Sequence, residues 1–211
     1  MKVIDDGVIK YDRTNFSYLE AIPDSEFTDI EYQRKKLYQL NLIGEDQESK
    51  VGFGNISKRF DLSHVKNSPR PQFIITATQT GKFSDLNGTH YTRVLDFDID
   101  NAKIYSMGAL EASSEALTHA AIYLANPSIK AIVHVHSQQI WEKMLNDGSP
   151  ATQKGTSYGT KEMAYEGMRL ARNHSSGIFV MTGHEGGIIS FSSDINLATQ
   201  LMIKTYDKYL K

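Results

Sequence analysis

The segment YTRVLDFDIDNAKIYS, residues 91–106, decides the fold class of this chain. Its two ends, residues 91–97 and 103–106, are short runs rich in β-branched and aromatic residues, which is typical of strands. Between them, residues 98–101 read DIDN, a mostly polar sequence that suits a hairpin loop. The segment therefore predicts two antiparallel strands joined by a tight connection.

Further strands and helices are predicted on both sides of this hairpin. Short apolar runs predict strands at residues 73–78, 130–136, 178–182 and 187–191. Apolar residues at near-helical spacing predict a first helix from Pro23 to Gly44, with later helices at residues 113–124, 160–172 and 194–210. Because hairpins dominate the middle of the chain, we expect an α/β fold with a mainly antiparallel sheet.

The sequence contains no internal repeat and no low-complexity linker, and its five prolines are scattered. We therefore expect residues 1–211 to form a single domain. No run approaches the roughly 20 apolar residues that a membrane helix needs, and acidic residues occupy the start of the chain. These features predict a cytoplasmic protein.

The composition excludes several function classes. Lys and Arg number 23 against 25 Asp and Glu, so the formal net charge of −2 argues against nucleic acid or an anionic membrane as a partner. The chain has no Cys, which excludes disulfides, thiolate zinc sites and thiol nucleophiles. A bound metal ion must therefore be held by His, Asp or Glu.

A histidine pair is the first candidate for such a site. In AIVHVHS, residues 131–137, His134 and His136 are two apart on a predicted strand, so both side chains leave the same face. Neutral imidazole is the commonest metal ligand, and two converging imidazoles are compatible with a zinc site. Two half-buried polar residues without a ligand remain the alternative.

A second candidate site lies where a helix is predicted to begin. In ASSEALTHAA, residues 112–121, Ser113 and Ser114 precede Glu115. Unpaired N–H groups at a helix start, together with two hydroxyls, favour binding of an anion such as phosphate. A simple helix cap, with an acidic residue favoured by the helix dipole, is the alternative.

Two glycine-containing segments carry further donors for an anion. GFGNIS at residues 52–57 and TQTGK at residues 78–82 offer backbone N–H, amide and hydroxyl groups. Ordinary turns would explain both segments equally well. A third segment, MTGHEGG at residues 181–187, places His184 at a close-approach bend, where it is either a structural hydrogen-bonding residue or a third metal ligand.

Taken together, these segments resemble a known family. GFGNISKR, FIITATQTGK, ASSEALTHAA, AIVHVHS, SYGTKEMA and MTGHEGG follow one another in the order of the class II aldolase/adducin family, from about Leu37 to the C-terminus. The resemblance implies an α/β/α arrangement around a mainly antiparallel sheet. It also implies assembly as a homotetramer.

The resemblance further implies roles for individual residues. One Zn²⁺ per subunit, or another divalent ion, would be held by His134, His136 and His184. Glu115 would take and return a proton during the reaction. Phosphate-binding positions of the family are matched by Asn55, Thr80, Gly81, Ser113 and Ser114.

The chain differs from the family pattern in three places. The stretch between His136 and Tyr158 is shorter than the one that supplies a catalytic tyrosine in sugar-phosphate aldolases. Glu185 follows His184 where the family has glycine, so this carboxylate could intrude on the site or join it. Extra residues around Gln79 leave open which threonine, the one before it or the one after it, faces a phosphate.

The implied activity is the reversible aldol cleavage of a phosphorylated ketose through an enediolate, with a small sugar phosphate as the bound partner. A dehydratase, an epimerase or a decarboxylase using the same metal site is an alternative within enzymology. An adducin-like binding module without chemistry is an alternative of a different class.

Overall fold

The computed structural model describes residues 8–60 and 70–211. Within these residues, five helices lie at α1 (Asp24–Gln39), α2 (Ala116–Ala125), α3 (Gln138–Asn146), α4 (Lys161–Ala171) and α5 (Ile195–Leu210). Strands lie at β1 (Phe16–Tyr18), β2 (Gly44–Glu45), β3 (Gly52–Phe53), β4 (Asn55–Arg59), β5 (Phe73–Thr76), β6 (Tyr91–Asp98), β7 (Lys103–Gly108), β8 (Ala131–His136), β9 (Gly177–Val180) and β10 (Gly187–Ser192). The expected single domain, 1–211, includes residues 1–7 and 61–69, which lie outside the described residues.

Eight of the described strands form one sheet in the order β1-β7-β6-β5-β4-β8-β10-β9. Only the β1–β7 pair is parallel among them, so the prediction of a mainly antiparallel sheet is confirmed. The predicted hairpin is confirmed as β6 and β7, with Asp98 opposite Lys103 at its end. The short strands β2 and β3 pair separately.

The sheet lies between two layers of helices. Side chains from α2 and α4 pack against one face, together with Phe73, Ile75 and Ile132. Side chains from α1, α3 and α5 pack against the other, together with Ile74 and Val133. Successive residues of β5 and β8 thus alternate between the two cores, as strand geometry requires. The α/β/α arrangement is confirmed.

The predicted end of the first helix, Gly44, is wrong. Helix α1 stops at Gln39 because Asn41 adopts a left-handed conformation, with φ at 55°. The Leu42 N–H then donates to the Leu37 carbonyl at 3.0 Å, which is the closing bond of a Schellman motif. Gly44 instead begins β2.

Strands β1 to β4 and helix α3 were not predicted from the sequence. A turn between strands is one interpretation of residues 52–57, but Asn55 is the first residue of β4 in the middle of the large sheet. Helix α3 was also missed. It begins after Ser137, whose hydroxyl accepts a hydrogen bond from the Ile140 N–H at 3.4 Å. None of the described helices is long and apolar enough to cross a membrane.

A buried ion pair connects α1 to the loop that follows a short helical turn at Thr80–Lys82. The Arg34 guanidinium makes two hydrogen bonds to Glu31, at 2.6 and 2.9 Å. It also donates to the carbonyls of Phe83 and Ser84, at 3.1 and 2.7 Å. The Tyr91 hydroxyl donates to the same Glu31 carboxylate at 2.8 Å. This cluster therefore fixes the loop against the helix.

We expect Arg34→Met to lower the free energy of unfolding by about 3 kcal/mol, because it leaves the Glu31 charge buried without its partner. Urea denaturation would measure this loss. Lys35→Met is the matched control, since Lys35 pairs with Asp85 at an exposed position and such pairs contribute little. Equal stability of the two variants would show that the buried pair does not fix the loop.

Candidate metal and anion site

The two histidines of β8 project from the central part of the sheet. β8 pairs with β4 on one side and β10 on the other, with His134 opposite both Asn55 and Ile189. Because His134 and His136 are two apart on this strand, both lie on the sheet face covered by α2 and α4. The two side chains therefore project from the same face of the sheet, as their spacing in the sequence predicts.

His184 reaches the same place from the turn between β9 and β10. The His184 N–H donates to the Met181 carbonyl at 3.1 Å, and the Gly187 N–H donates to the His184 carbonyl at 2.8 Å. A Cβ atom on Gly187 would lie 2.8 Å from His184 Cδ2 and 3.3 Å from His134 Cε1. Only a glycine at this position therefore allows the two rings to approach each other.

One ring nitrogen from each of His134, His136 and His184 lies within 4.8 Å of the other two. The Nε2 atoms of His134 and His136 are 3.0 Å apart. His134 Nδ1 is 3.2 Å from the Ile188 carbonyl, which requires a hydrogen on Nδ1 and leaves Nε2 as the coordinating atom. The three rings therefore form a cluster that could hold a divalent metal ion.

The electrostatics of the site also fit a metal ion. Burial lowers the pKa of His136 to about 4 and holds the pKa values of His134 and His184 well below 6.5. Neighbouring imidazoles lower the pKa of His134 and His184 further. All three rings are therefore neutral at pH 7, and neutral imidazole is the form that binds metal.

Glu115 lies beside this cluster at the start of α2. The helix begins at Ala116, so Glu115 occupies the N-cap position and not the first turn. Its side chain is buried and accepts a hydrogen bond from the Thr118 hydroxyl at 2.8 Å. No hydrogen bond joins its carboxylate to a backbone N–H of the helix start in the described structure. A helix cap alone therefore does not explain Glu115.

A cavity of about 520 Å³ brings these groups together. Its lining includes the three histidines and Glu115, and the predicted anion-binding residues Asn55, Ser113 and Ser114. Asn55 Oδ1 is buried and has no hydrogen-bond partner among the described residues. A ligand in the cavity could supply that partner.

Thr80 and Gly81 are placed differently from the other predicted anion-binding residues. They are not among the described residues that line the cavity, whereas Thr78 and Gln79 are. Gln79 has a left-handed φ of 57°, and the Thr80 hydroxyl then donates to the Ala77 carbonyl at 2.7 Å. A Cβ atom on Gly81 would lie 2.2 Å from the Phe53 carbonyl oxygen. These two residues pack inside the loop.

Tyr158 also lines the cavity, although no role for it was predicted from the sequence. Its ring stacks on His184 with a centroid separation of 4.5 Å and an interplanar angle of 28°. It is buried and lines the cavity. The only signal for it in the sequence was its position in the SYGTKEMA block.

Glu185 also lines the cavity, and it accepts a hydrogen bond from the Gln138 side chain at 3.2 Å.

His119 lies outside the three-histidine cluster. Its Nδ1 atom is 2.8 Å from the Ser57 hydroxyl, which is itself 2.8 Å from the Tyr123 hydroxyl. Its Nε2 atom is buried without a hydrogen-bond partner in the part of the chain that the structure describes. Burial lowers the pKa of His119 to about 3. His119 is therefore a neutral core residue at pH 7.

We expect the buried His119 to make the protein less stable as the pH falls. Its pKa is depressed in the folded state, so the unfolded chain takes up a proton below pH 6.5 that the folded chain excludes until about pH 3. Between pH 7 and 5 this group should remove about 2 kcal/mol of stability. Urea denaturation at several pH values should show a shallower pH dependence for His119→Gln. An identical pH dependence would contradict the assignment.

Comparisons with known proteins bear on this site. The profile of the family described as "Class II Aldolase and Adducin N-terminal domain" matches residues 39–204. No curated protein sequence gives a significant match.

Three solved structures illustrate the similarity of the fold. An L-fuculose 1-phosphate aldolase is 19% identical with a TM-score of 0.63, over 89% of this chain and 84% of that one. A sugar-phosphate aldolase from Thermotoga maritima is 18% identical with a TM-score of 0.61, over 88% of this chain and 94% of that one. A putative aldolase/epimerase/decarboxylase from Klebsiella pneumoniae is 18% identical with a TM-score of 0.61, over 88% and 87%. At such identities, the likeness shows a common fold.

Proposed function

Because the chain belongs to the class II aldolase and adducin family, we propose that it is a metal-dependent lyase that splits a phosphorylated ketose by reversible aldol cleavage. One observation carries the proposal: three neutral imidazoles and a buried carboxylate, Glu115, line a single cavity. A binding module without chemistry would have no use for this combination.

The three histidines would hold one divalent ion per subunit, and we propose Zn²⁺. The set of nitrogen ligands suits zinc, although other first-row metals also bind imidazole. Such an ion, held by neutral ligands, keeps its positive charge and favours negative charge on a hydroxyketone. The Ile188 carbonyl contributes by fixing the ring of His134 in the coordinating form.

Glu115 would move the proton at the carbon next to the ketone. In the cleavage direction, the bond from that carbon to the neighbouring hydroxyl-bearing carbon breaks, and its electron pair stays on the carbon next to the ketone. The hydroxyl would give its proton to the Glu115 carboxylate and become the aldehyde oxygen, and Glu115 would then pass that proton to the carbon next to the ketone. The Thr118 hydroxyl donates to the Glu115 carboxylate and so orients it.

The phosphate of the substrate would lie against donors at the start of α2. Ser113, Ser114 and Asn55 line the cavity there. Thr78 and Gln79 line it from the neighbouring loop, which is shaped from within by the packing of Thr80 and Gly81. Two of the proteins with a similar fold are named as aldolases of sugar phosphates, which supports a sugar phosphate as the substrate of this chain.

The reaction is tested by incubating the metal-loaded protein with phosphorylated and free ketoses and trapping the released aldehyde. We expect an aldehyde from a phosphorylated ketose. If the ketose loses water, is epimerised or loses CO₂ and no aldehyde is released, the protein is a dehydratase, an epimerase or a decarboxylase and not an aldolase. The name of the Klebsiella relative includes epimerase and decarboxylase as well as aldolase. Absence of any reaction together with absence of metal would favour the binding module.

We expect inorganic phosphate to inhibit the cleavage competitively, because it would occupy the donors near Ser113 and Ser114 that bind the substrate phosphate. Initial rates at several phosphate concentrations measure the inhibition, and sulfate serves as a comparison anion. Equal rates for the phosphorylated and free forms of one ketose would contradict phosphate recognition.

We further propose that the chain works in the cytoplasm as a homotetramer, as the family resemblance implies. Sedimentation equilibrium of the purified protein tests the assembly.

A further inference from the structure

The N-terminal segment contacts the wall of the cavity at Tyr158. The Tyr158 hydroxyl accepts a hydrogen bond from the Val8 N–H at 3.2 Å. The ammonium nitrogen of Lys10 lies 3.9 Å from the centroid of the Tyr158 ring. The same ring stacks on His184. Tyr158 therefore connects a cation of the N-terminal segment to one of the proposed metal ligands.

The position of Lys10 is fixed by its surroundings. A Cβ atom on Gly159 would lie 3.6 Å from Lys10 Cβ and 3.3 Å from the Ser114 carbonyl oxygen, so the Lys10 side chain runs close to the proposed phosphate site. The adjacent Tyr11 is buried, and its hydroxyl donates to the Ala112 carbonyl at 2.7 Å. Lys10 is thus held beside the segment that carries the two serines.

The charged side chains that line the cavity are acidic, so a nearby cation such as Lys10 affects which ligands the cavity favours. Three carboxylates line it, from Asp46, Glu115 and Glu185, and no Lys or Arg lines it in the described parts of the chain. An anionic substrate therefore enters a cavity whose charged wall groups are acidic. The Lys10 ammonium lies over the same Tyr158 ring that stacks on His184, so its positive charge is close to the proposed metal site.

We propose that Lys10, acting across the Tyr158 ring, supplies the positive charge that favours anions in the cavity, at the expense of affinity for the divalent cation. This inference rests on the proposed function, since it requires an anion and a metal ion to share the cavity. Lys10 is not among the described residues that line the cavity, so it acts through its charge and not by touching the substrate. It also lies outside the family-matched residues 39–204.

Lys10→Met tests the proposal, because it keeps the length and the apolar stem of the side chain and removes the charge. We expect the affinity of the metal-loaded protein for inorganic phosphate to fall by about 10-fold, measured by calorimetry. The affinity for Zn²⁺, measured by competition with a chelator, should rise by a similar factor. Lys10→Arg should leave both affinities within about 2-fold of the wild type. The exposed Lys161→Met serves as a control.

The opposite directions of the two changes separate this proposal from a structural role. If Lys10 only held Tyr158 in place, Lys10→Met would weaken both phosphate and Zn²⁺ binding, and that result would overturn the proposal. Unchanged phosphate affinity would also overturn it, as would a wild-type protein that binds no phosphate. A wild-type protein that binds both ligands but releases no aldehyde would refute the proposed lyase and leave the role of Lys10 intact.

Discussion

The His184→Ala protein is expected to lose stoichiometric metal binding and, with it, all lyase activity. His184 is one of only three side chains in the cluster that the described residues form, and its ring nitrogen lies within 4.8 Å of the other two ligand atoms. Loss of a residue that only hydrogen-bonds a metal ligand already weakens metal binding by about 10–100-fold. Loss of a ligand itself should therefore weaken binding by more than that. Elemental analysis after dialysis against a weak chelator measures the effect.

The control for this experiment is His174→Ala. His174 is exposed, and the protein should keep one metal ion per chain when it is replaced. His134→Ala and His136→Ala should behave like His184→Ala. If His184→Ala alone keeps its metal at normal affinity, the third ligand is a different group, and the nearby carboxylate of Glu185 becomes the candidate. Melting temperatures of the metal-free proteins show whether a variant has simply failed to fold.

Glu115→Gln is expected to reduce turnover by at least about 100-fold while metal content stays at one ion per chain. Glutamine keeps the size of the side chain and can still accept the hydrogen bond from Thr118. It cannot take up a proton, and loss of general acid–base catalysis costs about 10²–10⁴-fold in rate. Turnover, metal content and melting temperature of this one variant are the measurements.

The three readouts separate three possible roles of Glu115. A general acid–base residue gives low turnover with normal metal content and near-normal stability. A metal ligand gives low metal content as well. A helix cap gives near-normal turnover with a stability loss of about 0.3–1 kcal/mol. Normal turnover of Glu115→Gln would contradict the proposed mechanism.

The sequence allowed most of the fold to be predicted, because strand and helix periodicities are local. The antiparallel β6–β7 hairpin and the convergence of the β8 histidines both follow from short-range geometry. The end of α1 was wrong because a left-handed asparagine, Asn41, stops the helix three residues before the glycine that was expected to do so. Asparagine adopts this conformation less often than glycine, so the sequence signal was weak.

The parts of the site that were missed depend on long-range packing. Tyr158 and Lys10 are far apart in sequence, and nothing local to either predicts that the Lys10 ammonium lies over the Tyr158 ring. The choice between Thr78 and Thr80 likewise depends on the left-handed backbone of Gln79, which directs the second threonine into the loop. Such contacts are set by the tertiary fold and not by residue spacing.

Aldol cleavage, as proposed, requires a metal ion at the three histidines. The most direct measurement is aldehyde release from a phosphorylated ketose before chelation, after complete removal of the metal, and after addition of one equivalent of Zn²⁺. We expect release to stop on removal of the metal and to return on its addition, in the wild type but not in His184→Ala. Aldehyde release that persists at full rate in the metal-free protein would contradict it.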